Sequence, residues 1–278
     1  MKRMEISQRV PDQVYFYKLR IEDSSWDYRG ESTKSYTQGF HSYPAMMIPQ
    51  VAHRLIEEYS KEGDVLLDPF CGSGSVLVEA KITRRYSWGI DLNPLAVLIA
   101  RVKTTTINPS ILYKEYSSLI DQIREMRDDE INSPQFFNLH FWFKESVIKS
   151  LARIKTAVDR IEKTEIREFF QITFSEVIRL SSNSRDGEFK LYRYPESKLK
   201  DYNPDPLRLF MGKVEMNITG MENFYKACPI DVWSRVIEAD STKLVEAIEP
   251  GSVDIIVTSP PYGDSRTTVA YGQFSRLS

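Results

Sequence analysis

The chain has 278 residues, of which 41% are hydrophobic and 27% charged, and its formal net charge is -2. This composition is typical of a globular protein with one sizeable core, and the charge balance argues against a protein held on nucleic acid by a global positive field. No apolar run approaches the roughly 18 residues of a membrane helix. The two cysteines and three isolated histidines predict neither a disulfide framework nor a metal site, so we expect a cytoplasmic protein without a membrane anchor or a metal.

The first hundred residues predict the beginning of a parallel α/β sheet. Residues 1–48 are a polar and aromatic arm with one short strand at Val14–Leu19, and a helix follows from Pro49 to Tyr59. Short apolar runs then alternate with segments of helical spacing, as in a sheet that helices cover on both faces. The predicted elements are a strand at 64–70, a helix at 75–82, a strand at 87–93 and a helix at 94–102.

After residue 106 the alternation stops, and a largely helical insertion is predicted. Three amphipathic helices are expected at about 110–130, 144–162 and 164–181, and a loop-like stretch follows at 181–208. Strands return at 234–240 and 254–260, joined by a short helix in KLVEAIE (243–249). The predicted divisions are an arm (1–48), a first sheet half (49–106), the insertion (107–230) and a final strand pair (231–278).

DPFCGSG (68–74) has the features of a nucleotide-binding turn, although a tight structural turn would look similar. Gly72 and Gly74 permit tight backbone between a strand and a helix, and Asp91 follows Asp68 by 23 positions at the end of the next strand. The spacing is not G-x-G-x-x-G, and Asp68 would repel a phosphate but attract an ammonium group. A ligand with a cationic end, a ribose and an adenine is indicated, namely S-adenosylmethionine. We interpret Cys71 as a small residue in a crowded turn rather than a nucleophile.

The second motif is Ser259-Pro260-Pro261-Tyr262, which follows the fourth predicted strand. The prolines fix the backbone, so that the Ser259 hydroxyl and the Pro260 carbonyl can form a rigid pair of acceptors. Such a pair could hold an exocyclic base amine and direct its lone pair at a methyl donor, while Tyr262 stacks on a flipped base. The alternative is a rigid turn with Tyr262 in the core.

Together the two motifs resemble the amino-group DNA methyltransferases, which methylate N4 of cytosine or N6 of adenine. The resemblance implies a Rossmann-like methyltransferase sheet, S-adenosylmethionine as cofactor, double-stranded DNA with a flipped base as substrate, and a restriction-modification system. It covers about residues 33–106 and 234–278. It places cofactor-binding residues at Tyr43, Pro44, Asp68, Phe70, Gly72, Gly74, Asp91 and Asp240, and catalytic residues at Ser259, Pro260, Pro261 and Tyr262.

The insertion departs from the family pattern, because it separates the second and third strands rather than standing where a target-recognition domain usually does. Residues 179–213 contain eight basic and five acidic side chains. This excess suits phosphate contacts, but a solvated face is an equal alternative. Ser75 stands where the family usually has Thr, which keeps a hydroxyl.

Several functions stay open at this point. Ser259, preceded by Val257 and Thr258, resembles the N4-cytosine branch most, and N6-adenine methylation is the first alternative. An RNA or protein-glutamine amino methyltransferase and a non-catalytic remnant that binds cofactor or DNA are further alternatives. A nicotinamide oxidoreductase is disfavoured by the glycine spacing.

The resembled sheet has seven strands, and candidates for only the first four are found. Sixteen residues follow Tyr262, whereas a strand–helix–strand unit takes about 30 or more. The fourth strand would therefore present an open edge. We expect a split or truncated enzyme that is inactive alone and receives its remaining strands from a second polypeptide.

Overall fold

The computed structural model describes residues 23–185, 191–228, 231–243 and 245–260. The chain divides into two compact units, the second of which begins at Ser32. In the first unit a short 3-10 helix, Ser24–Trp26, is capped by the Asp23 side chain, which accepts from the Ser25 amide. The predicted strand at Val14–Leu19 lies outside the described residues.

Four parallel strands form one sheet in the second unit, and this confirms the predicted α/β class. They are β1 (Val65–Asp68), β2 (Tyr86–Asp91), β3 (Ser234–Glu238) and β4 (Ile255–Ile256), in the order β3-β2-β1-β4. β4 is shorter than the predicted 254–260. Its last ladder bond is from the Val257 amide to the Leu67 carbonyl, and Pro260 has no amide hydrogen with which to extend the ladder.

Three helices pack on this sheet: α1 (Pro49–Tyr59), α2 (Ser75–Ile82) and α3 (Pro94–Thr104). Asn93 starts α3 by accepting the Leu95 amide on its side chain, and Pro94 occupies the first turn. A small core joins these helices to β1 through Ala52, Ile56, Leu66, Leu77 and Ala100. None of the helices in the described ranges combines the length and hydropathy that crossing a bilayer would require.

The insertion between β2 and β3 is helical, as predicted. Its helices are α4 (Pro109–Glu125), α5 (Leu139–Trp142), α6 (Glu145–Asp159), α7 (Thr164–Ser181), α8 (Glu196–Leu199) and α9 (Pro206–Ala227). They form a second and larger core, in which the Phe40 ring meets the Phe169 ring edge-on at 5.6 Å.

The prediction of only three helices here was wrong, because the 22-residue helix α9 was missed. Its signals were present. Asp205 caps the helix by accepting the Arg208 amide, and Pro206 stands in its first turn. The buried residues recur at helical spacing along it, namely Phe210, Val214, Ile218, Met221 and Phe224.

The prediction of a short helix in KLVEAIE (243–249) was also wrong for the described residues of that stretch. They form turns, in which the Lys243 amide donates to the Asp240 carbonyl and the Ile248 amide to the Val245 carbonyl. Seven residues are too few to offset helix nucleation without a packed face, and Gly251 follows with a positive φ of 78°.

Candidate cofactor and catalytic site

A cavity of about 390 Å³ opens where the parallel strands end. Its walls come from the segment after each strand: 68–73 after β1, 91–93 after β2, 239–242 after β3 and Ser259 after β4. Residues 43–47 close another side, and Ser75 and Val76 of α2 contribute as well. The carboxyl edge of an open parallel sheet is where such folds bind ligands.

Most residues predicted for the site line this one cavity. They are Tyr43, Pro44, Asp68, Phe70, Gly72, Asp91, Asp240 and Ser259. Gly74 and Pro260 are described but do not line it, and Pro260 is exposed. Pro261 and Tyr262 lie outside the described residues.

The two loop glycines serve different purposes. Gly72 has a φ of +49°, and a Cβ there would lie 3.6 Å from the Tyr43 ring, at the cavity wall. Gly74 has a φ of +79° and directly precedes α2. A Cβ at Gly74 would lie 2.8 Å from the Cβ of Ala100, so glycine at this position lets α3 approach the loop closely.

Asp68 is a buried carboxylate without a cationic partner among the described residues. It is 2% exposed, and its Oδ1 accepts from the Thr258 hydroxyl at 2.7 Å and the Phe70 amide at 3.2 Å. The pKa of Asp68 is raised to about 6, mainly by burial and to a smaller extent by the charge of nearby Asp91, while the two hydrogen bonds act to lower it. A ligand cation in the cavity would relieve this desolvated charge.

Asp91 is held by backbone donors on both oxygens. Oδ2 accepts from the Gly72 amide at 2.9 Å, and Oδ1 accepts from the Asn93 amide at 2.8 Å. Burial raises its pKa, whereas these amides lower it. Because each carboxylate oxygen can accept a second hydrogen bond, Asp91 can bind ligand hydroxyls while it keeps the loop in place.

Asp240, after β3, is exposed to solvent on one side. Its Oδ1 accepts from the Thr242 hydroxyl at 2.6 Å and the Thr242 amide at 3.0 Å, and Lys243 lies 3.5 Å from Oδ2. The Thr242 hydroxyl lowers the pKa of Asp240 more than any other group does. Asp240 is thus ionised and fixed in orientation at the cavity edge.

Thr258 joins the two motifs, and sequence reasoning gave it no role. Its hydroxyl bond to Asp68 links the end of β4 to the loop after β1, across 190 positions of the chain. Ser259, the next residue, is half-buried in the cavity wall. Nothing in the residue type of Thr258 signals this contact; only its position at a strand end does.

The insertion holds the segment that carries Tyr43. The Ser42 amide and hydroxyl donate to Glu176 of α7 at 3.1 and 2.8 Å, and His41 Nε2 lies 2.9 Å from the Ser175 hydroxyl. Burial lowers the pKa of His41 to about 4, so the ring is neutral at pH 7. Tyr43 itself is buried and accepts on its hydroxyl from Asn93 Nδ2 at 3.0 Å.

Some basic residues of 179–213 are engaged within the protein. Lys213 Nζ donates to the Gly39 carbonyl at 3.1 Å, and Arg193 binds the Phe141 carbonyl and Glu196. Lys190 lies outside the described residues. These contacts reduce the number of free cations that the stretch could offer to phosphates.

Neither cysteine chemistry nor a metal is indicated by the described residues. Cys71 is buried, and desolvation followed by the charge of Asp68 raises the pKa of its thiol. Gly89 faces it, since a Cβ there would lie 3.0 Å from the Cys71 sulfur. Within the described ranges no group of His, Cys, Asp and Glu side chains has the arrangement of a metal site.

Comparisons with known proteins agree with the two motifs. Residues 2–101 match the model of the N6_N4_Mtase family, described as DNA methylase. Type II methyltransferase M.MvaI of Kocuria varians is 43% identical over 275 residues, which cover 94% of this chain. Type II methyltransferase M.MjaII of Methanocaldococcus jannaschii is 31% identical over 113 residues, or 39% of this chain and 21% of that protein.

A further match is the tRNA (guanine(10)-N2)-dimethyltransferase of the same archaeon, 26% identical over 67% of this chain and 48% of that protein. The chain spans 61% of the length of M.MvaI. The resemblance predicted from the motifs is confirmed by these matches.

Proposed function

We propose that this chain contains the cofactor-binding and catalytic part of a DNA methyltransferase that modifies an exocyclic base amine. The observation that carries the proposal is the meeting of Asp68, Asp91 and Ser259 in one cavity at the ends of parallel strands. The match of residues 2–101 to a family described as DNA methylase supports DNA as the substrate class, and the similarity to the Type II methyltransferase M.MvaI extends over 94% of the chain. The proposed setting is a restriction-modification system.

The donor set of the cavity suits S-adenosylmethionine, which supplies a methyl group on a sulfonium. The buried Asp68 carboxylate has the position and the missing partner to bind an ammonium group. Asp91 would accept from ribose hydroxyls, and Asp240 from an adenine amine. Tyr43, Pro44 and Phe70 would supply apolar walls, and Gly72 the close backbone approach.

The proposed catalytic groups orient the base amine. The Ser259 hydroxyl and the Pro260 carbonyl would accept its hydrogens, which favours a tetrahedral nitrogen with its lone pair free. Pro261 would keep the loop rigid and Tyr262 would stack on the flipped base. The Thr258–Asp68 hydrogen bond would keep this loop in a constant position relative to the cofactor.

N4 of cytosine is the proposed target, and N6 of adenine is the alternative that the same acceptors could serve. An RNA amine is a second candidate, favoured by the similarity to the tRNA dimethyltransferase. That similarity is lower and shorter than the similarity to M.MvaI, and the family model that matches is described as DNA methylase, so DNA is ranked first.

A further part of the proposal concerns the sheet edge. β4 is an edge strand of the described sheet, and Ile256 on it is 60% exposed. We propose that additional strands pair with β4 in the active enzyme, supplied by a second polypeptide or by chain outside the described residues. Methyl transfer by the purified chain alone would indicate that the strands come from its own residues outside the described ranges. Methyl transfer only in a complex would indicate a second polypeptide.

The test is methyl transfer from radiolabelled S-adenosylmethionine to duplex DNA and to tRNA, with the purified protein. Digestion of the product distinguishes N4-methylcytosine from N6-methyladenine. Cofactor binding is measured in parallel by calorimetry. Label recovered only in RNA or protein, or no binding of cofactor at all, would exclude the proposal.

Ser259→Ala should lower methyl transfer by about 10-fold or more, since it removes one of two acceptors, while cofactor affinity changes little. Ser241→Ala, at another serine that lines the cavity and has no role in the proposal, serves as the control for a general effect on the cavity wall. Equal losses of binding and transfer in Ser259→Ala would assign Ser259 to the cofactor instead.

A further inference from the structure

Lys103, in the last turn of α3, is a buried cation close to the cavity. Its side chain is among the largest fully buried ones of the protein, at 0% exposure. Its ammonium group lies 3.4 Å from the Ser73 hydroxyl and 4.0 Å from the Met46 sulfur. Among the described residues no carboxylate lies within ion-pairing distance of it. Burying an ammonium group with such weak partners lowers the stability of the folded protein, so a functional role for Lys103 is worth considering.

The packing around Gly74 explains how this lysine reaches the glycine loop. Gly74 allows α3 to approach at Ala100, and Lys103 lies one turn further along the same helix face. The Lys103 carbonyl is fixed from the other side by the Thr37 hydroxyl at 2.8 Å. The ammonium group is therefore held behind Ser73 and Met46, which both line the cavity.

Ser73 is the link between the lysine and the cavity. Its hydroxyl oxygen accepts from Lys103, so its own hydrogen is free to be donated elsewhere. Ser73 stands two residues before the start of α2, and Ser75 and Val76 in the first turn of that helix line the cavity as well. Burial, and after it the charge of Lys213, lower the pKa of Lys103 to about 7, and a bound anion would stabilise its charged form. This end of the cavity is suited to an anion.

We propose that Lys103, acting through the Ser73 hydroxyl, is the counter-charge for the carboxylate of the bound amino acid end of S-adenosylmethionine. The inference rests on the proposed function and adds to it the positioning residue for one end of the cofactor. Asp68 then binds the ammonium group of the cofactor, and Lys103 interacts through Ser73 with its carboxylate. Together they select an intact amino acid end over a ligand that lacks one of its two charges.

The test compares S-adenosylmethionine with its decarboxylated form by calorimetry. The unmodified protein should bind the intact cofactor more tightly, and Lys103→Met should lower this preference by about 10- to 100-fold, the scale of a lost charge-assisted hydrogen bond. Ser73→Ala should lower the preference in the same direction. Affinity for the decarboxylated form should stay nearly constant in both variants.

Lys81→Met is the matched control. Lys81 is also a buried lysine, but its ammonium group donates to the carbonyl of Thr104 at 2.8 Å, and Thr104, unlike Ser73, does not line the cavity. It should leave the preference unchanged. Ser73→Ala keeps the test informative if Lys103→Met does not fold.

Equal losses for both ligands in Lys103→Met or Ser73→Ala would show a structural role and overturn the inference. A preference unchanged in both variants, or an equal effect of Lys81→Met, would overturn it as well. If the unmodified protein binds neither ligand, the proposed function itself fails and the inference fails with it. That outcome differs from the others because it concerns the unmodified protein.

Discussion

Replacing Asp68 by Asn should have opposite effects on stability and on cofactor binding. In the folded chain the Asp68 carboxyl is buried and lacks a cationic partner among the described residues, and its pKa is raised from 3.8 to about 6. Asn keeps the shape and an oxygen that can accept from Thr258, but it removes the buried charge. The variant should therefore be more stable and should bind S-adenosylmethionine less well.

The magnitude follows from the pKa. Because the folded state binds the proton more tightly than the unfolded state, stability is highest below pH 3.8 and falls as the pH rises through about 6. Ionisation then costs the folded protein roughly 3 kcal/mol at pH 7.5 and roughly half of that at pH 5. The gain from Asp68→Asn should have these values as upper limits and should be about half as large at the lower pH.

Binding should change in the other direction. At pH 7 the ionised Asp68 attracts the ammonium group of the cofactor, and its loss should weaken affinity by about 10- to 100-fold. In the unmodified protein the same attraction weakens as the pH falls through about 6, because Asp68 takes up a proton. Affinity should drop about 10-fold between pH 7 and pH 5, and Asp68→Asn should flatten that dependence.

The assays are urea unfolding at both pH values and calorimetric titration with S-adenosylmethionine. Asp128→Asn is the control, because Asp128 is exposed, its pKa is lowered by Lys149 and Arg153, and it lies away from the cavity. It should not stabilise the protein and should not alter cofactor binding. An Asp68→Asn variant that is less stable at pH 7.5 and binds the cofactor normally would refute the reasoning.

Two further predictions concern the supports of the site. Gly74→Ala should destabilise the protein by at least about 1–2 kcal/mol in urea unfolding, because φ is +79° and the new Cβ would meet Ala100. Gly212 lies on α9 with open space around it, so Gly212→Ala should instead stabilise the protein by up to about 1 kcal/mol. The same sign for both would contradict the packing argument. Glu176→Gln should weaken cofactor binding several-fold by loosening Ser42 beside Tyr43, whereas Glu168→Gln on the same helix should not, as calorimetry would show. Normal affinity of the Glu176→Gln variant for S-adenosylmethionine would show that the contact with α7 does not support the site.

The sequence alone predicted the strands of the described sheet and eight of the 21 described residues that line the cavity. Short apolar runs that end in Asp68-Pro69 or Ser259-Pro260 mark strand ends, and parallel strands bring such ends to one edge. The helix α9 could also have been predicted, because Asp205 and Pro206 signal its start. The turns at 245–249 were not predicted, because the spacing there is helical although seven residues are too few to offset the cost of helix nucleation.

What the tertiary structure alone decided is how the parts around the cavity support one another. The contacts of Ser42 with Glu176 and of Lys213 with Gly39 join residues 134 and 174 positions apart. They give the insertion a role in supporting residues 43–47 of the cavity wall, which its amphipathic pattern does not show. The hydrogen bonds from Thr258 to Asp68 and from Lys103 to Ser73 are likewise not visible in the sequence pattern. Local pattern determines which residues become helix or strand, whereas the partner of a buried charge depends on how distant elements pack, and that is set by the whole fold.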